Sequence, residues 1–169
     1  PEFQERERDA VLVYMGNGSV GPRRLERVPT EAFPDASLQV LVVGAGREKT
    51  VGNVSFARHV DFSKVLPKAR VFVNHSGQNS IMDGIAYCVP QIMYPGRVFE
   101  RAYNARSVET AGAGIDLSDR GFNADSLRAA LSTVESSERF QESARALKAE
   151  LASLGGAGTI VQGISDAPR

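Results

Sequence analysis

Short apolar runs alternate with helix-forming segments along this chain, and that alternation limits its fold more than any other feature. Each run stops at glycine, proline or polar residues, as buried strands do. The runs cover residues 10–15, 38–43, 53–57, 71–74, 91–94 and 112–117. Strands that alternate with helices over short loops favour an open parallel sheet covered on both faces. The sequence therefore predicts an α/β fold with a Rossmann-like parallel sheet of about six strands and helices on both faces.

Helical periodicity fills the segments between these strands. Helices are predicted from about residue 22, with an interruption at Pro29, and over residues 76–87 and 99–111. After the sixth strand the chain reads as wholly helical. Asn123 or Asp125 is expected to cap one helix, a second covers residues 137–154, and a short third covers residues 159–164.

Composition excludes several classes of function. Twenty basic residues balance twenty acidic ones among the 169, so no net positive field is available to hold a nucleic acid. One cysteine and two histidines are too few for an internal disulfide or an ordinary zinc site. No apolar run is long enough to cross a bilayer. We expect a cytoplasmic protein with no metal, no nucleic-acid partner and no membrane span.

The two ends of the chain are predicted to lie outside the folded domain. Pro1, Glu2 and Phe3 are the residues that a cleaved tag and a cloning site commonly leave behind. We therefore expect residues 1–3 to be a cloning remnant, residues 4–165 to form one domain, and residues 166–169 to be a tail.

The loops that follow the strands are the places to look for a ligand site. In parallel sheets of this kind, ligands bind beyond the carboxyl ends of the strands, near the point where the strand order reverses. The loop Gly44-Ala45-Gly46 begins like a dinucleotide-binding pattern, but Lys49 stands where a third glycine is needed. A plain turn is the favoured interpretation of this loop.

The segment after the fourth strand has the strongest pattern for binding. A buried strand runs into His75, Gly77 and Ser80 at the start of a helix. Helix N-termini carry unpaired N–H groups and a partial positive charge, which favour an anion such as phosphate. His75 and Ser80 could donate further hydrogen bonds. The alternative, that His75 and Ser76 only cap the helix, fits the spacing equally well.

Two further loops could contribute to the same site. Gly16, Gly18 and Ser19 follow the first strand and could supply more donors, although a flexible turn alone explains them. Glu100 and Arg101 lie just past the fifth strand, where each could contact a polar ligand or simply be solvated at the start of a helix.

Together these residues resemble the donor-binding signature of UDP-glycosyltransferase-like enzymes, which are inverting glycosyltransferases of the GT-B fold. The resemblance is to the C-terminal half of such enzymes, in particular bacterial natural-product enzymes of the macrolide type, and it extends from about Val11 to Ile164. The matching residues are His75-Ser76-Gly77-Gln78-Asn79-Ser80, Asp83, Val89-Pro90, Pro95, Glu100, Asn104-Ala105 and Gly112-Ala113-Gly114-Ile115.

The resemblance implies a role for each matching residue. The diphosphate of a UDP- or TDP-sugar is expected to bind a set of residues at the start of the helix, with help from the first loop: Ser19, His75, Gly77, Gln78, Asn79 and Ser80. Asp83 is expected near the ribose hydroxyls, although the family usually has glutamate there. Glu100 is expected at the sugar hydroxyls, and Arg101 stands where the family commonly has a sugar-binding glutamine.

The resemblance also implies what this chain lacks. The general base that deprotonates the acceptor hydroxyl belongs to the N-terminal half, so no catalytic base is expected here, and His75 would only stabilise the leaving diphosphate. The acceptor is expected to be a natural-product aglycone, as in antibiotic biosynthesis, and no cofactor beyond the nucleotide sugar is expected. Alternatives are a stand-alone donor subunit that recruits a partner chain, or a nucleotide-sugar-binding module without catalysis.

Overall fold

The computed structural model describes residues 8–154, which fold around one seven-stranded sheet. Its strands are β1 (Ala10–Tyr14), β2 (Gln39–Val43), β3 (Lys49–Val51), β4 (Val54–Ala57), β5 (Ala69–Asn74), β6 (Gln91–Met93) and β7 (Gly114–Asp116). Its helices are α1 (Pro22–Ala32), α2 (Phe62–Val65), α3 (Gln78–Ala86), α4 (Phe99–Thr110), α5 (Ala124–Glu135) and α6 (Arg139–Ser153). A 3-10 turn, Leu66–Lys68, joins α2 to β5. The expected remnant, the short helix at 159–164 and the tail lie outside the described residues.

The strand order confirms the predicted Rossmann-like sheet. The order is β3-β4-β2-β1-β5-β6-β7, and every neighbouring pair is parallel except β3 with β4. Without β3, the six parallel strands have the order typical of dinucleotide-binding domains. The chain runs outwards from β1 through β2 to β4, then returns to the other side of β1 and continues from β5. The order therefore reverses between β1 and β5.

Helices cover both faces of the sheet, as predicted. Leu25 and Val28 of α1, with Leu127 and Leu131 of α5, belong to the apolar core on one face. On the other face, Ile81 and Ile85 of α3 pack in one cluster with residues of α4 and α6. A third cluster lies under α2 and the 3-10 turn and contains Leu12, Leu66 and Phe72. The central strands β1 and β5 are therefore buried on both sides, which explains their continuous apolar sequences.

Two local predictions differ from the structure. Residues 49–51 form an antiparallel edge strand, β3, which the sequence analysis missed because all three residues are exposed and it is very short. Pro29 does not interrupt the first helix, since α1 continues to Ala32 with Pro29 buried inside it. The Thr30 hydroxyl donates to the Glu26 carbonyl at 2.9 Å, and the Phe33 N–H donates to the Pro29 carbonyl, so the last turn remains bonded.

The strand register places the carboxyl ends of the central strands at the same edge of the sheet. Tyr14, the last residue of β1, pairs with Val43 of β2 on one side and with Asn74 of β5 on the other. Asn74 in turn pairs with Met93 of β6. The loops that begin after Tyr14, Val43, Asn74 and Met93 therefore leave the sheet along a single edge.

Candidate functional site

His75 lies between the loops that follow β1 and β5, at the point where the strand order reverses. A Cβ atom built on Gly16 would be 2.8 Å from the His75 Nε2 atom, and one built on Gly77 would be 2.5 Å from it. The Tyr14 ring meets the imidazole edge-on, with 5.7 Å between the ring centroids. Both loops therefore need glycine beside the imidazole, because a side chain at either position would collide with it.

The backbone after His75 is held in an uncommon conformation. Ser76 has a φ of +54°, in the left-handed region that costs energy for any residue with a side chain. The Ser76 N–H donates to the Asn74 side-chain oxygen at 2.8 Å, and the Asn104 side chain donates to the Ser76 carbonyl at 3.1 Å. Asn104 therefore holds this loop through its backbone, and these contacts turn the chain sharply from β5 into α3.

The start of α3 has free backbone donors. Gly77 is the N-cap residue, no side chain in the described part of the chain caps the helix, and the first backbone bond from the helix is Ile81 N–H to the Gly77 carbonyl. The alternative that His75 or Ser76 caps α3 is therefore wrong, since the Ser76 hydroxyl donates to the His75 carbonyl instead. The N–H groups of Gln78, Asn79 and Ser80 remain available for an anion.

The predicted site residues on α3 differ in exposure. Gln78 and Asn79 are exposed, and Ser80 is buried with 3% of its surface accessible. Asp83 is half-buried one turn further along. Burial, followed by the charges of Asp83 and Asp61, raises the pKa of Tyr87 above its ordinary value. Asp83 on α3 and Asp61, the N-cap of α2, therefore both lie within electrostatic reach of Tyr87.

The residues at the start of α4 complete the group. The Arg101 guanidinium donates a 2.6 Å hydrogen bond from Nη1 to the Ser19 hydroxyl, which ties α4 to the loop after β1. Glu100 precedes Arg101 and is exposed. The structure therefore brings Ser19, His75 and Arg101 together with the start of α3, whereas Glu100 is exposed.

The surroundings of His75 lower its pKa. Burial is the largest influence and lowers the pKa of His75, and the positive charge of Arg101 lowers that pKa further, while the Tyr14 backbone partly offsets both. The Nδ1 atom is buried, and none of the described residues gives it a hydrogen-bond partner. The lowered pKa favours the neutral imidazole, which can donate one hydrogen bond to an anion.

A buried polar pair beneath the site was missed by the sequence analysis. The Asn74 amide donates to the Gln91 side-chain oxygen at 2.8 Å, and the Gln91 amide donates to the Ile81 carbonyl at 3.1 Å. Both residues are essentially inaccessible to solvent. The signal in the sequence was a glutamine inside an apolar strand, because a buried amide requires partners. Through these bonds, β5, β6 and α3 are locked in register below His75.

Other features of the described residues lie apart from this group. A cavity of about 260 Å³ lies against β1, β2, β4 and the 3-10 turn, and it shares no residue with the predicted site. Within residues 8–154, no three His, Cys, Asp or Glu side chains are grouped as a metal site would require. No helix in this range is long and apolar enough to cross a membrane.

Comparison with known proteins finds a family match and several relatives. Residues 40–166 match the family described as erythromycin biosynthesis protein CIII-like, C-terminal domain. UDP-glucuronosyltransferase 1A8 of Rattus norvegicus is 42% identical over 77 residues, which are 45% of this chain and 14% of that relative. UDP-glucuronosyltransferase 1A9 of Mus musculus is 40% identical over 77 residues, with the same coverage.

Solved structures show the same fold. The kitacinnamycin glycotransferase superposes with a TM-score of 0.78 at 24% identity, over 93% of this chain and 42% of that chain. The spinosyn rhamnosyltransferase SpnG complexed with thymidine diphosphate has a TM-score of 0.77 at 18% identity, over 98% of this chain and 48% of that chain. This chain therefore spans less than half the length of these structures.

Proposed function

Because this chain belongs to the erythromycin biosynthesis protein CIII-like C-terminal domain family, we propose that it is the donor-binding half of an inverting glycosyltransferase. The membership confirms the family resemblance seen in the sequence. The donor is a UDP- or TDP-linked sugar, and the acceptor is a hydroxyl group, in the natural-product setting that of an aglycone. The rest of the proposal concerns which residues do the binding and what chemistry they support.

One observation carries the proposal: the loops after β1 and β5 converge on His75 where the strand order reverses. Nucleotides bind at this point in sheets of this order, with phosphate at the N-terminus of a helix. The free N–H groups of Gln78, Asn79 and Ser80 supply hydrogen-bond donors there, and the His75 imidazole lies beside them. The diphosphate is the part of a nucleotide sugar that fits such a set.

The same donors would assist the reaction. In an inverting transfer, the acceptor oxygen attacks the anomeric carbon while the bond from that carbon to the diphosphate breaks, so negative charge grows on the leaving phosphate oxygens. N–H groups that are already in position stabilise the charge of the transition state more than that of the bound nucleotide sugar. They therefore lower the barrier to transfer. His75 and the start of α3 have this role, whereas the base that removes the acceptor proton lies outside this chain.

Asp83 and Glu100 bind the other two parts of the nucleotide sugar, the ribose and the transferred sugar. Asp83 is half-buried one turn into α3, where a carboxylate could accept from the ribose hydroxyls. Glu100 is exposed at the start of α4, where a carboxylate could accept from the sugar hydroxyls. The partner is an N-terminal acceptor-binding half, and the reaction takes place in the cytoplasm with no cofactor beyond the nucleotide sugar.

Calorimetric titration of the 169-residue chain with UDP and with TDP tests the proposal. His75→Ala is expected to weaken binding by about ten- to a hundredfold, because a hydrogen bond to a charged group contributes roughly 1.5–3 kcal/mol. His59→Ala is the matched control, since His59 is the other histidine of the chain and is exposed. Equal affinity in wild type and His75→Ala would show that the phosphates bind elsewhere.

A further inference from the structure

Arg101 is a half-buried cation beside the proposed diphosphate site. It lies in the first turn of α4, where the partial positive charge of a helix N-terminus disfavours another cation. Its one hydrogen bond among the described residues goes to the neutral Ser19 hydroxyl, at 2.6 Å. No carboxylate within residues 8–154 forms an ion pair with it, although Glu100 is its neighbour in sequence.

The groups around Arg101 are donors as well. Ser19 accepts the Arg101 bond, and its own hydroxyl hydrogen donates to no group in the described part of the chain. The charge of Arg101 also reaches His75, which touches Gly16 in the same loop as Ser19. A guanidinium has five N–H donors, so one bond to Ser19 leaves most of them unused. This group has positive charge and donors but no paired anion.

We propose that Arg101 binds the diphosphate of the nucleotide sugar directly, together with the Ser19 hydroxyl, instead of binding the sugar. This inference rests on the proposed function and names the ligand group that one residue of that site recognises. The guanidinium matches phosphate better than a sugar hydroxyl, since it can place two parallel N–H groups on two charged oxygens. Ser19 then keeps Arg101 oriented in the empty site and adds its own hydrogen bond when the phosphates arrive.

A phosphate-binding Arg101 changes which ligands depend on this position. A residue that contacts only the sugar would affect the intact nucleotide sugar and spare the bare nucleoside diphosphate. Arg101 is instead expected to contribute equally to both ligands, and also to inorganic pyrophosphate, which has neither base nor sugar. It is not expected to contribute to binding of uridine or thymidine, which carry no phosphate.

The experiment is calorimetric titration of the 169-residue chain with UDP, TDP, UDP-glucose and pyrophosphate. Arg101→Gln removes the positive charge and keeps an amide. Arg101→Lys keeps the charge but cannot place two parallel N–H groups on two oxygens. Arg106→Gln is the control, because it removes a charge from an exposed position of the same helix. We expect Arg101→Gln to weaken every phosphate-bearing ligand by about ten- to a hundredfold. Arg101→Lys is expected to lose less, and Arg106→Gln to bind as wild type does. Thermal unfolding checks that each variant is folded.

Each other outcome decides against at least one of the two proposals. If Arg101→Gln weakens UDP-glucose but not UDP, the residue binds the sugar and the inference is wrong. Equal affinity for all ligands in wild type and Arg101→Gln also overturns it. If pyrophosphate binds in an Arg101-dependent way but UDP and TDP do not bind, the inference stands and the nucleotide-sugar function fails. If neither pyrophosphate nor nucleotides bind to the wild type, both are overturned.

Discussion

Two glycine-containing loops leave the same edge of the sheet, and only one of them helps to build a site. The loop after β1 has Gly16 at a φ of +60°, pressed against the His75 imidazole. The loop after β2 has Gly44 at a φ of +89°, with only the Tyr14 ring at 4.0 Å from a built Cβ, and Gly46 with nothing within 4 Å. In sequence the two loops look alike, since each is a strand followed by glycines.

The difference follows from where each strand lies in the sheet. β1 has β5 as its neighbour, so its loop faces the loop that opens helix α3. β2 lies between β1 and β4, and the chain after it forms the β3–β4 hairpin, so no helix N-terminus follows. A glycine-rich loop after a strand therefore indicates a phosphate site only where the strand order reverses and a helix begins.

The largest contrast is expected between Gly77→Ala and Gly46→Ala. Gly77 has an ordinary φ of −63°, so alanine there is strained only by its contact with the imidazole. We expect a loss of about 1–3 kcal/mol in the free energy of unfolding, as for other overpacked sites, and at least tenfold weaker UDP binding as His75 is displaced. Gly46→Ala is expected to leave the stability unchanged or raise it by about 0.4–1 kcal/mol.

Urea unfolding and calorimetry measure both effects, and a double variant identifies the cause. In a His75→Ala background the imidazole is gone, so Gly77→Ala should no longer reduce stability. A cost that persists in that background would show that the backbone at Gly77, not the imidazole, requires glycine.

A smaller contrast is expected between Gly16→Ala and Gly44→Ala. Both positions have positive φ, so each alanine should reduce the free energy of unfolding by about 1–2 kcal/mol. Gly16→Ala should cost more than Gly44→Ala, because its Cβ also collides with the His75 imidazole. Only Gly16→Ala should also weaken UDP binding, because only Gly16 touches His75. Binding lost equally in both variants would mean that the loop after β2 belongs to the site.

The smallest effect is expected from pH. Burial and the charge of Arg101 hold the pKa of His75 below its ordinary value, so the unfolded chain takes up a proton first as the pH falls through about 6.5. Stability should therefore decrease as the pH falls from about 6.5 to the lower pKa of the folded state. Thermal unfolding across this range should show a weaker pH dependence for His75→Gln than for wild type and for His59→Gln. Parallel curves for all three proteins would contradict this.

Local sequence was sufficient where local chemistry decides the structure. Asn123 was expected as one of two possible caps, and its side chain accepts from the Ser126 N–H at 2.9 Å at the start of α5. The six parallel strands were predictable because their residues are buried on both faces. β3 was not, since an exposed strand forms only because β4 offers it an edge to pair with.

The functional residues divide in the same way. Residues 74–80 were recognisable as a candidate anion site because strand, histidine, glycine and helix start are contiguous in sequence. Nothing local indicates that Gly16 touches His75, that Arg101 bonds to Ser19, or that Asn74 bonds to Gln91. Each of these contacts joins residues of two different elements that are separated along the sequence.

The sequence by itself thus determined the type of most elements, the family and the helix start that can hold a phosphate, because these depend on neighbouring residues, periodicity and a contiguous motif. The tertiary structure alone decided which glycine loop takes part, which cation faces the site and how the pKa of His75 is shifted. These properties depend on distance, burial and charge between residues that only the strand order and register of the sheet bring together.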